Sequence, residues 1–407
     1  MTTVDGSRAV DDTAALQRTV AVVGVTSASD VQAAVRSAAY HRRPVIVAES
    51  GAGAPAGSVV IDTSRMREIH IDPETRTARV GAGVCWQQAQ QAAAHHDLTG
   101  LAASSGSTRV VGYTAGGGLS PVLGRRYGFA ADHVRAVELV SADGELRRVD
   151  AVGEPDLFWA LCGGGSELGV ITALEFALYP HAHLYGGDLC YAAEHSRAVL
   201  DAYREVAAAA PEDLTVSFAF LRMPDLPSVA PTLRGRFGLA VRVAWLGAVQ
   251  QGEQLVRPLL DAAPRTFENL TEMPFTDAFS VHGDPGPAAA TSRLLGDLTD
   301  QAVDALLSAA GPGRDFPAET VEVRQLGGAL SRSPRRPNAV AGRDARFRLS
   351  VSGLDRRTSR PHLRELLDTL SPWIIGPHTV DDRLREIKAA HDPANLFRTA
   401  PTRRWYE

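Results

Sequence analysis

Residues 112–128 read Gly112-Tyr-Thr-Ala-Gly-Gly-Gly118, then Leu119-Ser-Pro-Val-Leu123, then Gly124-Arg-Arg-Tyr-Gly128, and a second glycine triplet stands downstream at Gly163-Gly-Gly165. Three consecutive glycines carry a large conformational-entropy cost, which is tolerated where side chains would collide with something. Two such runs point either to a long, flat ligand or to tightly packed turns. Downstream of the first run, residues 134–149 form a strongly patterned hairpin around Asp143-Gly144. Residues 156–180 repeat the design, with a helical stretch over 157–161, the second triplet, and a strand over 170–178. Upstream, 20–25 is a β-branched strand, Ser27 or Ser29 is placed to cap a helix over 30–40, and Val31, Ala34, Val35 and Ala38 give that helix its apolar face. Strands at 44–48 and 59–62 flank a Gly-rich turn at 51–57, a hairpin over 65–80 folds about Asp72-Pro73, and 86–95 is a Gln/Ala-rich helix. After His181 the texture changes: strands at 215–221, 238–246 and 345–354 alternate with helices at 196–209, 252–262 and 299–309, and a last helix over 380–390 ends near Asp392-Pro393. That is an α+β pattern, one sheet with helices on one face.

The chain of 407 residues exceeds the ~150-residue domain prior, so two domains or one domain with an insertion is expected. With 44% hydrophobic and 22% charged residues, disorder is excluded. Lys plus Arg total 42 against 47 Asp plus Glu, a net charge of -5 without a basic stripe, so nucleic acid is not an expected partner. Cys85, Cys162 and Cys190 lie far apart, and the 12 histidines show no metal-ligand spacing. Neither a metal site nor a disulfide framework is expected, and a reducing cytoplasm fits. Residues 1–19 carry Asp5, Asp11 and Asp12 and no apolar core, and no run approaches the ~20 residues of a bilayer span, so no membrane association or export is expected. The oligomeric state is not legible.

The glycines of 51–57 suggest a dinucleotide loop, but Pro55 and the strand at 59–62 follow where a helix would have to begin, which excludes the Rossmann version. The turn either cradles phosphate through its amides or is an ordinary Gly-rich turn. There is no G-x-S-x-G elbow, P-loop, H-E-x-x-H or kinase set, so hydrolase, NTPase and metalloprotease chemistry lack support.

Taken together, Arg43-Pro-Val-Ile-Val47, Val60-Ile-Asp-Thr-Ser-Arg-Met66, Arg79-Val-Gly-Ala-Gly83, the 112–128 stretch, Asp156-Leu-Phe-Trp-Ala-Leu161, Leu168-Gly-Val-Ile-Thr172 and Asp392-Pro-Ala-Asn-Leu-Phe397 resemble, in order and spacing, the FAD-linked oxidases of the vanillyl-alcohol oxidase or PCMH-type superfamily, within its berberine-bridge-enzyme-like group. The resemblance implies a two-part FAD-binding domain (1–180 and 376–407) enclosing a substrate domain (181–375) with an antiparallel sheet covered by helices. It implies that Ser50, Gly51, Ala52 and Gly53, with Ser107, Gly112, Tyr113, Gly116 and Gly117, hold FAD, and that Gly169 and Val170 lie against it. It further implies hydride removal to the flavin and reoxidation by O2, typically on natural products of secondary metabolism.

The departures are specific. Ala52 stands where the family carries the His that bonds flavin, no Cys precedes the second Gly-rich loop, and Glu49 introduces a negative charge beside the expected diphosphate. A non-covalent FAD is therefore expected. The motif that supplies a catalytic Tyr is absent from Ser371-Pro-Trp-Ile-Ile-Gly-Pro-His-Thr379, so the catalytic group is unassigned, with His378 and His282 as weak candidates; a lone loop His such as His282 is expected to be exposed. Arg125 and Arg126 are expected to brace their loop, Asn395 to order the turn after the last helix, and Cys162 to be a small buried residue. The leading expectation is a FAD-dependent oxidase or dehydrogenase acting on a small natural product. A flavin-free or redox-neutral cyclase on the same scaffold is the alternative, and a non-catalytic binding protein is the third.

Overall fold

The computed structural model describes residues 20–48, 54–165, 167–222, 235, 237–282, 291–353, 360–376 and 382–398. Strand β1 (Ala21–Gly24) leads into α1 (Ala28–Tyr40) through a reciprocal cap: Ser27 Oγ accepts from the Asp30 amide, and the Asp30 carboxylate accepts from the Ser27 amide. β2 (Val45–Val47) and β3 (Val59–Asp62) complete a three-stranded parallel sheet in the order β1-β3-β2. β4 (Ile69–Asp72) and β5 (Thr77–Gly81) form the Asp72-Pro73 hairpin, whose turn is held by Asp72 accepting from the Glu74 and Thr75 amides. Helices α2 (Trp86–Ala94), α3 (Val110–Ala115) and α4 (Gly124–Tyr127) follow, then β6 (Val134–Val140), β7 (Leu146–Asp150), α5 (Pro155–Leu161) and β8 (Val170–Ala177). These strands make a five-stranded antiparallel sheet, β4-β5-β8-β6-β7, packed on Trp86, Val110, Leu157 and Phe158.

The second unit begins with β9 (His183–Ala192), α6 (Ser196–Ala209), β10 (Leu214–Arg222) and β11 (Phe237–Trp245). Then come α7 (Val249–Leu255), α8 (Arg257–Ala262), β12 (Arg265–Glu268), β13 (Thr271–Pro274), β14 (Thr291–Leu295), α9 (Asp300–Ala310), β15 (Thr320–Gln325), β16 (Phe347–Ser352) and α10 (Arg360–Leu370). Its eight strands form one antiparallel sheet, β12-β9-β11-β10-β15-β16-β14, with β13 also paired to β9. Val216, Phe218, Phe220, Val321, Val323 and Leu349 point from alternate strand positions into a core closed by Leu200 and Tyr203 of α6, Val303 and Leu306 of α9, and Leu366 of α10. Each such buried side chain stabilises the fold by ~1.5–3 kcal/mol. The alternation leaves the opposite face of the sheet turned toward the first unit.

Helix α11 (Asp382–His391) returns to the first unit, where Ile387 joins the α5 core and Leu396 and Phe397 pack with Val45, Val59 and Val170. The buried Asp392 carboxylate accepts from the Leu396 and Phe397 amides and from Lys388, the single lysine of the chain, which also donates to the Glu167 and Phe397 carbonyls. Asn395, at φ 49°, makes the left-handed turn in this clip.

Arg125 and Asp132 each tie the units together, and an aromatic cluster stands just before the crossing from one to the other. The Arg125 guanidinium donates to the carbonyls of Leu214, Leu326, Ala210 and Pro211. Asp132 is gripped by both terminal nitrogens of Arg343 and by Asn338. Tyr127 and Tyr179 stack at 3.8 Å while their hydroxyls pair with His181 and His133 at 2.6 Å.

The architecture is α+β as expected, with two local differences. The helix read over 252–262 is two helices broken at Val256, because Pro258 in the first turn of α8 has no amide to continue the ladder. Residues 110–115, read as part of a loop, are helical, since Val110, Val111, Thr114 and Ala115 bury one face against the sheet. Among the described residues no helix is long and apolar enough to cross a membrane.

Candidate active site

The two glycine triplets meet. Ala115 O, at the end of α3, accepts from both Gly163 N and Gly165 N at 2.9 and 3.0 Å. Much of what fills the space around them is the protein itself. A Cβ on Gly163 would lie 2.6 Å from Val340 Cγ2 and 2.7 Å from Val340 N, one on Gly164 would meet Ala160 O and Leu384, and one on Gly118 would meet Ala130. The Ala339 amide donates to Cys162 O, seating the loop before β16 in this slot. Packing therefore accounts for Gly118, Gly163 and Gly164, in keeping with the second of the two readings of the triplets, tightly packed turns.

Other positions stay open. Among the described residues no atom lies within 4 Å of a Cβ built on Gly112 or on Gly165, whose φ is +93°, and Gly116 meets only carbonyls of its own helix. Neither the Val111 nor the Gly112 amide has a main-chain acceptor among the described residues. An extended dianion needs main chain that it can approach with an amide uncommitted: Gly112 supplies the amide, while Gly116 and Gly165, whose own amides donate to Gly112 O and Ala115 O, supply open approach. On this observation the residues present fit FAD.

The remaining expected contacts are placed as follows. The hydroxyl of the exposed Ser107 is bonded to that of the buried Ser105 at 2.8 Å, and Tyr113 is packed edge-on to Trp86 with its hydroxyl donating to Ala102 O. Gly117 is buried at φ +107° beside Val340. Gly169 abuts Leu139 and Val140 of β6, and Val170 lies wholly in the core. Ser50, Gly51, Ala52 and Gly53, and the candidate His378, lie outside the described residues.

The charged groups sequence reasoning missed are on the sheet face opposite the helices. Glu322 of β15 accepts from Arg324, from Arg242 of β11 and from Ser217 of β10, at 3.0–3.2 Å. His282 caps the 3-10 helix Phe275–Val281 and comes within 3.9 Å of the same carboxylate. Contrary to the expectation of an exposed loop residue, His282 is only 7% exposed, because β11 and β15 lie against it. Burial, reinforced by the charges of Arg324 and Arg242, holds its imidazole well below the usual value, so it is neutral at pH 7 and its Nδ1 has no partner among the described residues. Burial opposes ionisation of Glu322, but Arg324 and Arg242 outweigh it and hold the carboxyl below its usual range. Asp188 of β9, 3.4 Å from Arg242, is pushed up to about 6 by burial. The alternation Thr-Val-Glu-Val-Arg-Gln at 320–325 was the available signal for this face.

A small cavity of about 10 Å³ between Gln90, Ser120, Leu123 and Phe279 holds no more than one water and is not a substrate site. Cys162 is buried and its thiol is pushed up to about 12, which suits a packing residue rather than a nucleophile. Among the described residues no group of His, Cys, Asp and Glu could hold a metal ion.

Residues 19–150 match the family described as FAD binding domain. A FAD-linked oxidoreductase, easE, of Trichophyton verrucosum is 36% identical over 175 residues, 39% of this chain and 29% of the relative, so the chain spans about a third of the length of that relative. A FAD-linked oxidoreductase, azaG, of Aspergillus niger is 24% identical over 381 residues, covering 89% of this chain and 76% of the relative. Among solved structures, BBE-like 1 of Physcomitrella patens shares the fold with a TM-score of 0.79 at 16% identity, covering 95% of this chain and 91% of that one.

Proposed function

We propose that this chain, which belongs to the PCMH-type, berberine-bridge-enzyme-like flavoproteins, is an oxidoreductase that holds FAD non-covalently and oxidises a small natural product in the cleft between its two units. The Gly112 amide, approached over the open main chain at Gly116 and Gly165, would hold the cofactor. Bound there, FAD supplies a two-electron acceptor that O2 can reoxidise. The absence of a His at residue 52 and of a Cys in the 104–109 loop supports the non-covalent mode.

The observation that carries the reading is the juxtaposition of a neutral, buried imidazole with an ionised carboxylate on the sheet face opposite the helices. His282 accepts the proton that leaves the substrate's oxidised centre, and Glu322, 3.9 Å away, stabilises the imidazolium that results. Glu322 is fixed for this by three donors and cannot drift with pH near neutrality. Ser217 and the two arginines orient the carboxylate, while burial excludes the water that would compete for the proton.

Aerobic incubation of the purified holoprotein with a natural-product library tests the reading. Substrate-dependent O2 uptake with loss of two hydrogens from the product supports it, and His282→Gln should lower kcat by about a hundredfold, the ordinary scale of general-base catalysis. Conversion to an isomer of equal mass without O2 uptake would instead establish the redox-neutral alternative.

A further inference from the structure

Between β15 and β16 the chain leaves the second unit, crosses to the first over residues 332–343 and returns. Ala339 and Val340 enter the slot between the glycine triplets, where the Ala339 amide donates to Cys162 O and Val340 lies against Gly117 and Gly163. Beside them Asp132 closes a clasp. Its carboxylate accepts from Arg343 Nη2 at 2.6 Å and Nη1 at 3.2 Å and from Asn338 Nδ2 at 2.7 Å, while Asn338 Oδ1 accepts from Arg343 and from the Val340 amide. The Arg343 guanidinium lies 4.9 Å from the ring centre of Phe129, whose amide also donates to Asp132. A Cβ on Gly128 would fall 2.6 Å from the same carboxylate, so the glycine leaves it room. The Asp132 and Arg343 side chains are 7% and 15% exposed, so water competes little for this fork.

This strap is held by polar contacts more than by burial. Within 332–343 only Ala339 and Val340 pack on a hydrophobic core, and both are only partly buried. A segment with few buried apolar contacts opens locally at a free energy below that of global unfolding, and here the Asp132 clasp sets that free energy. The slot it fills adjoins the open main chain. Gly116 precedes Gly117, which touches Val340, and the Gly165 amide shares the Ala115 carbonyl with that of Gly163. A cofactor held there has no covalent tether, because residue 52 is Ala and no Cys stands in 104–109.

We propose that residues 332–343 are a retaining latch for the non-covalent cofactor: clasped by Asp132, the strap walls the slot beside Gly116 and Gly165, and FAD leaves when the strap lifts. The proposal rests on the reading that this chain holds FAD and adds how FAD is kept. Arg343 and Asn338 are positioning residues in it, acting through Val340. Cutting the clasp raises the fraction of time the strap is open, and the change falls on release rather than on association.

The test is the loss of bound flavin from the FAD-loaded protein after dilution into flavin-free buffer, read by separating free from bound flavin at timed intervals. Arg343→Met should speed release by at least about tenfold, with Arg343→Lys, which keeps one point charge, in between. Val340→Gly, which leaves the clasp intact and removes the side chain from the slot, should speed it as well. Arg125→Met loosens the join between the units away from the strap and should change release less than twofold. Hydrogen exchange of the unmodified protein gives a second readout that survives a variant that fails to fold: FAD should slow exchange of the Ala339 and Val340 amides at least about tenfold. Unchanged release from Arg343→Met and Val340→Gly, equal acceleration by Arg125→Met, or exchange at 339–340 indifferent to FAD would overturn the latch while leaving the flavoprotein reading in place. Tighter binding of FAD once the clasp is cut would also overturn it, since the strap would then compete with the cofactor for the slot. A protein that takes up no FAD would overturn both.

Discussion

Replacing Arg125 by Met removes a charge that is 6% exposed and whose partners are all main-chain carbonyls of the other unit. Its Nε, Nη1 and Nη2 groups reach Leu214 at the start of β10, Leu326 after β15, and Ala210 and Pro211 after α6, so one side chain closes three chain ends. Burial lowers its pKa, but an arginine has ample range and stays charged. At ~1.5 kcal/mol net for each of three charge-assisted donors, offset in part by the packing that Met keeps, the loss is about 4 kcal/mol. At ~2–4 °C per kcal/mol for a unit of this size, the melting temperature should fall by about 8–16 °C in scanning calorimetry at a fixed scan rate. Arg332→Ala is the internal control: its pair with Glu212 lies in the same region, but with side chains 58% and 34% exposed it should cost under ~1 kcal/mol. A fall for Arg125→Met no larger than that of Arg332→Ala would refute the argument that this residue couples the units.

Gly163→Ala should destabilise by about 2–4 kcal/mol, because the methyl would overlap Val340 and the backbone is at φ +103°, whereas Gly165→Ala meets open space and pays only the φ term; urea unfolding compares the two. Lys388→Met leaves the fully buried Asp392 carboxylate without its cation, so hydrogen exchange over 392–398 should accelerate markedly and stability should drop by about 3 kcal/mol; unchanged exchange would show that the amide contacts suffice. Asp188 has its carboxyl raised from 3.8 to about 6, so the native state binds more protons than the unfolded state between those values and its contribution to stability falls as pH rises through that window. Asp188→Asn should therefore gain stability relative to the parent between pH 4 and 6, by roughly 3 kcal/mol at most, with the difference flat above pH 6; a difference independent of pH would contradict the shift.

Features carried by neighbours in sequence were legible. The Asp72-Pro73 and Asp143-Gly144 turns and the Ser27 cap need only a few adjacent residues, and each stands where the pattern placed it. β9 escaped because Gly186 and Gly187 interrupt its apolar pattern; the first packs on Val243 of the next strand and the second on Asn269, contacts set by distant residues. The glycine triplets showed that something crowds them, but not that Val340 does, since the seat of that loop depends on Asp132 gripping Arg343 across the two units. His282 looked like a loop residue because its burial is created by β11 and β15. Likewise, alternation puts Glu322 and Arg324 on one face, yet only the order of the strands sets Arg242 and Asp188 in line with them. The family resemblance rested on the motifs of the first 180 residues and of 392–397, which are local. It said little about the substrate face, where specificity is built from register.

The visible absorption spectrum of the purified protein, before and after incubation with FAD and gel filtration, tests the central claim that main chain around Gly112, Gly116 and Gly165 grips flavin without a covalent tether. The account predicts flavin bands that follow the protein through the column and pass into the supernatant on acid precipitation. A protein that remains colourless after exposure to FAD, or one whose flavin stays with the acid-precipitated chain, would contradict it.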